Sequence, residues 1–236
     1  IPVQDKIRIV PPEPLKKYLI DKWYFRDANW SPDWPTSAQK IDWFYQRESS
    51  LNPAAEKIFE SNGVIALTPK LITDFLKISG PVEVLGQIYD QTNFKDLLES
   101  RAEDASTWPK KEIIGEIIKE LKIKIFALPT REWTKIIDSL ADNLATKDLL
   151  IYLTDKQLEN IVLASGWGGE LKQTVGDYLM VVDANLGAVQ ADARLSRGLE
   201  YKVTQGANGL FSKLILNYAY PGEPGEAAGA YKSYTR

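Results

Sequence analysis

An α/β fold is predicted: a layered helix/sheet domain followed by a C-terminal β-hairpin region. Three observations lead there. Continuous apolar runs at 64–67, 82–85, 149–153 and 179–182 read as buried strands, because a strand covered on both faces loses apolar/polar alternation. Between the first three runs, apolar residues recur at helical spacing, and the order helix, strand, helix, strand, helix is that of layered α/β domains. Beyond Gly176 the helical spacing stops and strand-like runs take over. Most of the four runs are expected in one sheet, with 179–182 alternatively opening a separate β-domain. The change of character divides 1–176, the layered domain, from 177–236, a β-strand and hairpin region that either packs on that domain or begins a truncated β-domain.

In chain order, Pro11-Pro12-Glu13-Pro14 keeps the start extended, 15–20 allows a short helical turn, and Trp23-Tyr24-Phe25 is a short strand or an aromatic anchor. Thr36-x-x-Gln39 is a capping-box pattern, and Ala38, Ile41, Phe44 and Tyr45 share one helix face, so a helix is predicted to about residue 50. Asp33 falls at, or one residue before, its start. A short helix follows Asn52-Pro53, Thr68-Pro69 opens a helix to 78, and Gly80-Pro81 ends it. Further helices are predicted at 93–101, from 108 to a break at Leu128-Pro129, and from there to 145 with Thr130 as N-cap. Residues 155–164 form the next helix, Gly166-Trp167-Gly168-Gly169 a tight turn, and 193–203 with 211–220 a long hairpin about Gly206 and Gly209. Residues 221–229 read as a Gly, Pro, Glu and Ala loop.

Composition narrows the chemistry. The 236 residues carry a formal net charge of -3, which gives no global basic field and makes nucleic acid an unexpected partner. There is no Cys and no His, so thiol and Ser-His-Asp nucleophiles, disulfides and the usual zinc or haem ligands are excluded. Catalysis, if present, runs on carboxylates, Lys, Arg, Tyr or a hard oxygen-bound metal. No apolar run is long enough to span a membrane. The single methionine is Met180, so a chain starting at Ile1 is expected to be a piece of something longer.

Four features carry potential chemistry. Arg26, Asp27, Asn29 and Asp33 lie in a loop stiffened by Pro32 and Pro35 and anchored by aromatics. Arg offers a planar fork for phosphate or carboxylate, and the carboxylates suit Mg²⁺ or Ca²⁺; the alternative is a structural turn with an internal Arg–Asp pair and an N-cap. Asp183-Ala184-Asn185, followed by Asp192, Arg194 and Arg197, lacks the spacing of a calcium loop and reads as strand-end turn chemistry. Gly166 to Gly169 lacks the lysine and the context of a phosphate loop. The aromatics near the N-terminus either stack on sugars or fill the core.

Several motifs, in order, carry a resemblance to a family: Trp23-x-x-Arg26-Asp27-Ala28-Asn29-Trp30-x-Pro32-Asp33-Trp34-Pro35, Gly63-Val64-Ile65-Ala66-Leu67, Gly80-Pro81-Val82-x-Val84, Lys147-Asp148-x-x-x-Tyr152, Gly166-Trp167-x-Gly169 and Asp177-Tyr178-Leu179-x-Val181-Val182-Asp183-Ala184-Asn185. Together they resemble the bacterial family of domain of unknown function 4012. Gln190-Ala191-Asp192 departs from it, since the family pattern there is Lys-Ser-Asp. The resemblance implies the extracytoplasmic part of a larger envelope protein with an N-terminal membrane anchor, and it implies no reaction. The expected role is a non-catalytic surface or assembly module, with an envelope glycan or protein as partner and no cofactor. A fainter similarity, in Arg26-Asp27 and Gly80-Pro81-Val82-x-Val84, is to the LytR-CpsA-Psr transferases. It implies the alternative of binding or transferring polyprenyl-pyrophosphate-linked glycan, with Mg²⁺ as cofactor, although the later Arg-rich segment of those enzymes is missing here.

Overall fold

Gly63–Leu67 (β1) and Leu149–Leu153 (β4) pair antiparallel along their whole length, from Gly63 opposite Leu153 to Leu67 opposite Leu149. Residues 9–51, 60–95, 110–187, 195–220 and 232–236 are described in this computed structural model. They cluster into two units, one comprising Phe25–Gln173 and the other Ile1–Tyr24 with Thr174–Arg236. The helix after Asn52-Pro53, residues 96–101 of the helix expected at 93–101, Asp192, Arg194 and the loop at 221–229 lie outside the described residues.

In the first unit, helices flank the β1–β4 pair. Trp34–Leu51 (α2) packs on both strands, and Lys156–Ala164 (α6) returns onto β4. Asp155 caps α6, its Oδ1 accepting the amides of Gln157 and Leu158 at 2.9 and 3.0 Å. Between β1 and β4 the chain runs through Pro69–Ser79 (α3), Val82–Val84 (β2), Gln87–Tyr89 (β3), Lys110–Phe126 (α4) and Trp133–Ala145 (α5). Their apolar faces close the main core: Ile72 and Leu76 from α3, Val82, Val84 and Tyr89 from the β2–β3 hairpin, Ile113, Ile117 and Leu121 from α4, and Ile136 from α5. Removing this much aliphatic and aromatic surface from water is the main driving force for this part of the fold.

The fold class is α/β, but the four apolar runs do not share one sheet. Residues 64–67 and 149–153 pair with each other, whereas 82–84 folds back on β3, a strand the spacing did not disclose. Leu85 and Gly86, at φ 53° and 73°, make that turn possible, because left-handed backbone reverses a strand within two residues. Residues 179–182 are not a strand; Val182 alone exchanges backbone hydrogen bonds with Arg236, and the ladder begins one residue later. Thr130 does not cap α5 either. After Pro129 a single 3-10 turn, Thr130–Glu132, precedes the helix, which starts at Trp133 without a side-chain cap. Trp23-Tyr24-Phe25 is not a strand; Phe25–Asp27 forms one 3-10 turn.

The second unit holds Glu13–Tyr18 (α1), with Leu15 buried, and four strands. Asp183–Asn185 (β5) pairs with Ser233–Thr235 (β8), and Ser196–Gly206 (β6) pairs with Gly209–Ala219 (β7) through a two-residue turn at Ala207 and Asn208. Among the described residues no helix is long and apolar enough to cross a membrane.

Two glycines test the strand pairing against simple helix propensity. A Cβ on Gly63 would stand 2.2 Å from the Tyr152 carbonyl oxygen, whereas one on Gly115 in α4 meets nothing within 4 Å. Gly63→Ala is therefore expected to destabilise by about 1–3 kcal/mol, as overpacking does. Gly115→Ala is expected to stabilise by about 0.5–1 kcal/mol. Urea midpoints of the two variants should move in opposite directions.

Candidate functional site

The loop that precedes α2 is assembled from both ends of its own unit. Phe25–Asp27 is a single 3-10 turn, closed by the Ala28 amide donating to the Phe25 carbonyl at 3.1 Å. Within it Arg26 Nε lies 3.7 Å from Asp27 Oδ2, with the Arg side chain 60% exposed and the Asp side chain 18%. An ion pair this open is worth little in water, because the guanidinium keeps most of its hydration. Ala28 is buried, which roots the turn, and Asn29 is exposed.

Asp33 does different work. Its Oδ2 accepts the Thr36 amide at 3.1 Å and the Thr36 hydroxyl, which makes it the N-cap of α2, one turn earlier than a helix capped by Thr36. Its Oδ1 accepts the Leu171 amide at 2.9 Å, across 138 residues of chain. Beside it Trp34 donates its amide to the Gly169 carbonyl at 3.2 Å, and Ser37 Oγ donates to the Ser31 carbonyl at 2.8 Å. The Gly166-Trp167-Gly168-Gly169 turn is the other half of this clasp. Gly169 sits at φ 60°, where a Cβ would meet Leu150 at 2.9 Å and Trp34 at 3.2 Å, and the Trp167 carbonyl accepts the Ile151 amide of β4 at 3.1 Å. Burial alone would push the Asp33 carboxyl up, yet the hydrogen bonds from Thr36 and Leu171 outweigh it and hold the pKa below the usual value.

Thus Arg26 and Asp27 face one another, while Asp33 turns onto a helix start and a distant loop. Both oxygens of Asp33 already take donors from the protein. The expected pairing of Arg26 with Asp27 and capping by Asp33 are both present, and Trp34 is buried in the core.

Asp183 is more than a turn residue. Its Oδ1 accepts hydroxyl donors from Thr235 at 2.6 Å, Tyr218 at 2.8 Å and Ser233 at 3.2 Å, and its Oδ2 takes Arg197 Nε at 3.1 Å. One carboxylate thereby ties the β5–β8 pair to the β6–β7 hairpin. Desolvation opposes its charge, but these donors win and its pKa is lowered. Neighbouring Asn185 accepts the Gly187 amide at 3.0 Å.

A polar cluster between α3 and α5 escaped the sequence reading. Asn143 is fully buried; its Nδ2 donates to Asp74 Oδ2 at 2.9 Å and to the Ser139 carbonyl at 2.7 Å, and its Oδ1 accepts Lys70 Nζ at 3.2 Å. Lys70 and Asp74 pair at 2.7 Å, and a cleft of about 580 Å³ beside them is lined by Lys77, Lys135, Asp138 and Asp142 as well. The available signal was Asn143 itself, an amide on the apolar stripe that Ile136 and Leu140 define. Its hydrogen bonds are all made internally, so the cluster reads as helix-to-helix adhesive.

The Asp33 geometry carries a prediction with a definite sign. Because folding lowers its pKa, the stabilisation is fully present above the ordinary value of 3.8 and is lost as pH falls through the folded value. Asp33→Ala is expected to cost about 1 kcal/mol or more at pH 7, from the lost cap and the lost Leu171 anchor. Urea midpoints of Asp33→Asn and wild type should converge as the pH is taken down through the lowered folded value; a difference independent of pH would contradict the assignment.

Comparison with known proteins adds one finding. No curated protein and no solved structure matches the chain. A family model described as Protein of unknown function (DUF4012) matches residues 6–102, a stretch that holds α2, β1, α3 and all four loop residues. The motifs at 147–152, 166–169 and 177–185 lie beyond the matched stretch. Over residues 6–102 the chain therefore matches the family described as Protein of unknown function (DUF4012), as its motifs from Trp23 to Val84 indicate.

Proposed function

We propose that this chain is a non-catalytic surface or assembly module, carried outside the cytoplasm on a membrane-anchored bacterial envelope protein. The family resemblance is what supports the proposed location. The non-catalytic character rests on one observation: both oxygens of the Asp33 carboxylate are engaged by Thr36 and Leu171. A pyrophosphate site needs Arg26 together with a carboxylate able to share a cation, because so dense a negative charge is not held by one guanidinium. Asp33 would have to release a helix cap to serve there, and Asp27 is already turned to Arg26. Residues Arg26, Asp27, Asn29 and Asp33 are better accounted for as the architecture of a helix start than as ligand contacts.

Two measurements test the two halves of this reading. Calorimetric titration of a short-chain prenyl pyrophosphate with Mg²⁺ is expected to show no binding up to about a millimolar, which corresponds to roughly 4 kcal/mol. Saturable heat that disappears in Arg26→Ala would replace the reading with the transferase-like alternative. For location, this chain has no cysteine and Val175 is fully exposed, so Val175→Cys adds one accessible thiol that is read against the unsubstituted full-length protein as control. In intact cells expressing the full-length protein, a membrane-impermeant maleimide should label that cysteine; labelling only after lysis would overturn the extracytoplasmic placement.

A further inference from the structure

The two outer edges of the β1–β4 pair are treated differently by the chain. In an antiparallel pair, alternate residues point their N–H and C=O at the partner strand and the others point them away. The Thr68 amide bonds the Asp148 carbonyl at 2.9 Å and the Thr154 amide bonds the Asn62 carbonyl at 3.0 Å. With the observed register, Val64 and Ala66 therefore face β4, and Gly63, Ile65 and Leu67 face outward. On β4 two of the three outward amides are taken: Ile151 donates to the Trp167 carbonyl at 3.1 Å and Leu153 to Glu159 Oε2 at 2.7 Å. On β1 only Gly63 is satisfied, its amide and carbonyl both meeting Ser61 Oγ, at 3.2 and 2.7 Å. The outward backbone groups of Ile65 and Leu67 have no partner among the described residues, and Ile65 is 62% exposed.

This open edge runs along a groove of about 390 Å³ whose other wall is α2. Phe25, Ile41 and Tyr45 supply apolar surface, Asp42 and Glu60 supply two carboxylates, and no Lys or Arg among the described residues lines it. Among the described residues Asp42 has one donor, Gln46 Nε2 to its Oδ2 at 2.9 Å, and its buried Oδ1 has none. A carboxylate with one oxygen buried and undonated adds to the negative potential of the groove, and a cationic side chain entering it would supply the missing donor. Unpaired strand edges accept added strands, with main-chain hydrogen bonds giving affinity and the adjoining groove selecting side chains.

We propose that the groove between α2 and the open edge of β1 is a docking site for an extended peptide segment of a partner protein, one that alternates apolar with basic side chains. The segment pairs with Ile65 and Leu67 as a third strand. Its apolar side chains lie against Phe25, Ile41 and Tyr45, and a Lys or Arg approaches Asp42 and Glu60. The inference rests on the assembly-module reading only in requiring a partner, and its failure would leave the titration and the labelling results of that reading untouched.

The test uses the whole chain and three end-blocked, fluorescent seven-residue peptides: one alternating valine with lysine and arginine, one with glutamate in place of each basic residue, and one basic peptide N-methylated at alternate amides. Fluorescence anisotropy should show saturable binding of the basic peptide, with the other two weaker by about tenfold or more. Amide resonances of Ile65 and Leu67 should shift on addition of the basic peptide. Asp42→Asn, which retains the Gln46 contact, should weaken binding several-fold while the urea midpoint stays close to wild type. Equal binding of the acidic or the N-methylated peptide would overturn the proposal, as would no binding of the basic one at about 1 mM. Self-association in sedimentation that an excess of the basic peptide does not reverse would assign the edge to a second copy of the chain and overturn it as well.

Discussion

The antiparallel pairing of Gly63–Leu67 with Leu149–Leu153 is the constraint on which the larger unit depends. It joins segments more than eighty residues apart, and everything between them, α3, the β2–β3 hairpin, α4 and α5, is held as one closed excursion. Closing a loop of that length costs chain entropy before any contact is made, so its neck must be well bonded. It is. At the end of the ladder the Thr68 amide donates to the Asp148 carbonyl, and the Thr68 hydroxyl, spared from capping α3, donates to Asp148 Oδ1 at 2.7 Å. Asp148 Oδ2 takes the Thr146 hydroxyl at 2.6 Å, so one carboxylate fastens the end of α5 to the start of α3. Inside the excursion the core is aliphatic and aromatic, and Asn143, the one fully buried amide among the described residues, is bonded on both sides.

Carboxylates recur in this protein as joints. Asp33 links α2 to the turn after α6, Asp148 closes the neck, and Asp183 gathers three hydroxyls and an Arg where two strand pairs of the other unit meet. Each has its pKa lowered by donors from the protein, with burial opposing. This usage matters for function. A carboxylate whose lone pairs are filled by the fold is a poor base and a poor metal ligand, because either role requires breaking bonds that hold the structure. Asp42 is the contrast, a groove-lining carboxylate that the fold satisfies only in part. The positions of greatest chemical interest are therefore not those where charged residues are densest in sequence.

Part of this was legible in the residues themselves. The α/β class, the break at Gly80-Pro81, the helix over 155–164 and the hairpin about Gly206 and Gly209 all follow from short-range physics: period, propensity and the conformational limits of Gly and Pro. So did the capping role of Asp33 and its helix, since a cap is decided within four residues. The family resemblance belongs here too, for the motifs from Trp23 to Val84 fall in the stretch that the family model matches.

What only the tertiary structure decided is which groups meet across the chain. Apolar runs at 64–67, 82–85 and 149–153 are alike in composition, and nothing local states that the first pairs with the third while the second folds back on Gln87–Tyr89. Likewise 179–182 has strand composition but no ladder partner, and a strand exists only where another backbone supplies hydrogen bonds. The second oxygen of Asp33 finds Leu171 at a separation of 138 residues, and that contact turns a plausible ligand into a structural clasp. The same holds for the open edge of β1, because which strand edge is left unpaired depends on the placement of Trp167, Glu159 and Ser61, residues that sequence spacing does not connect. Local energies set the elements of this protein; their pairing is set by long-range hydrogen bonding and by how the shared core can be filled.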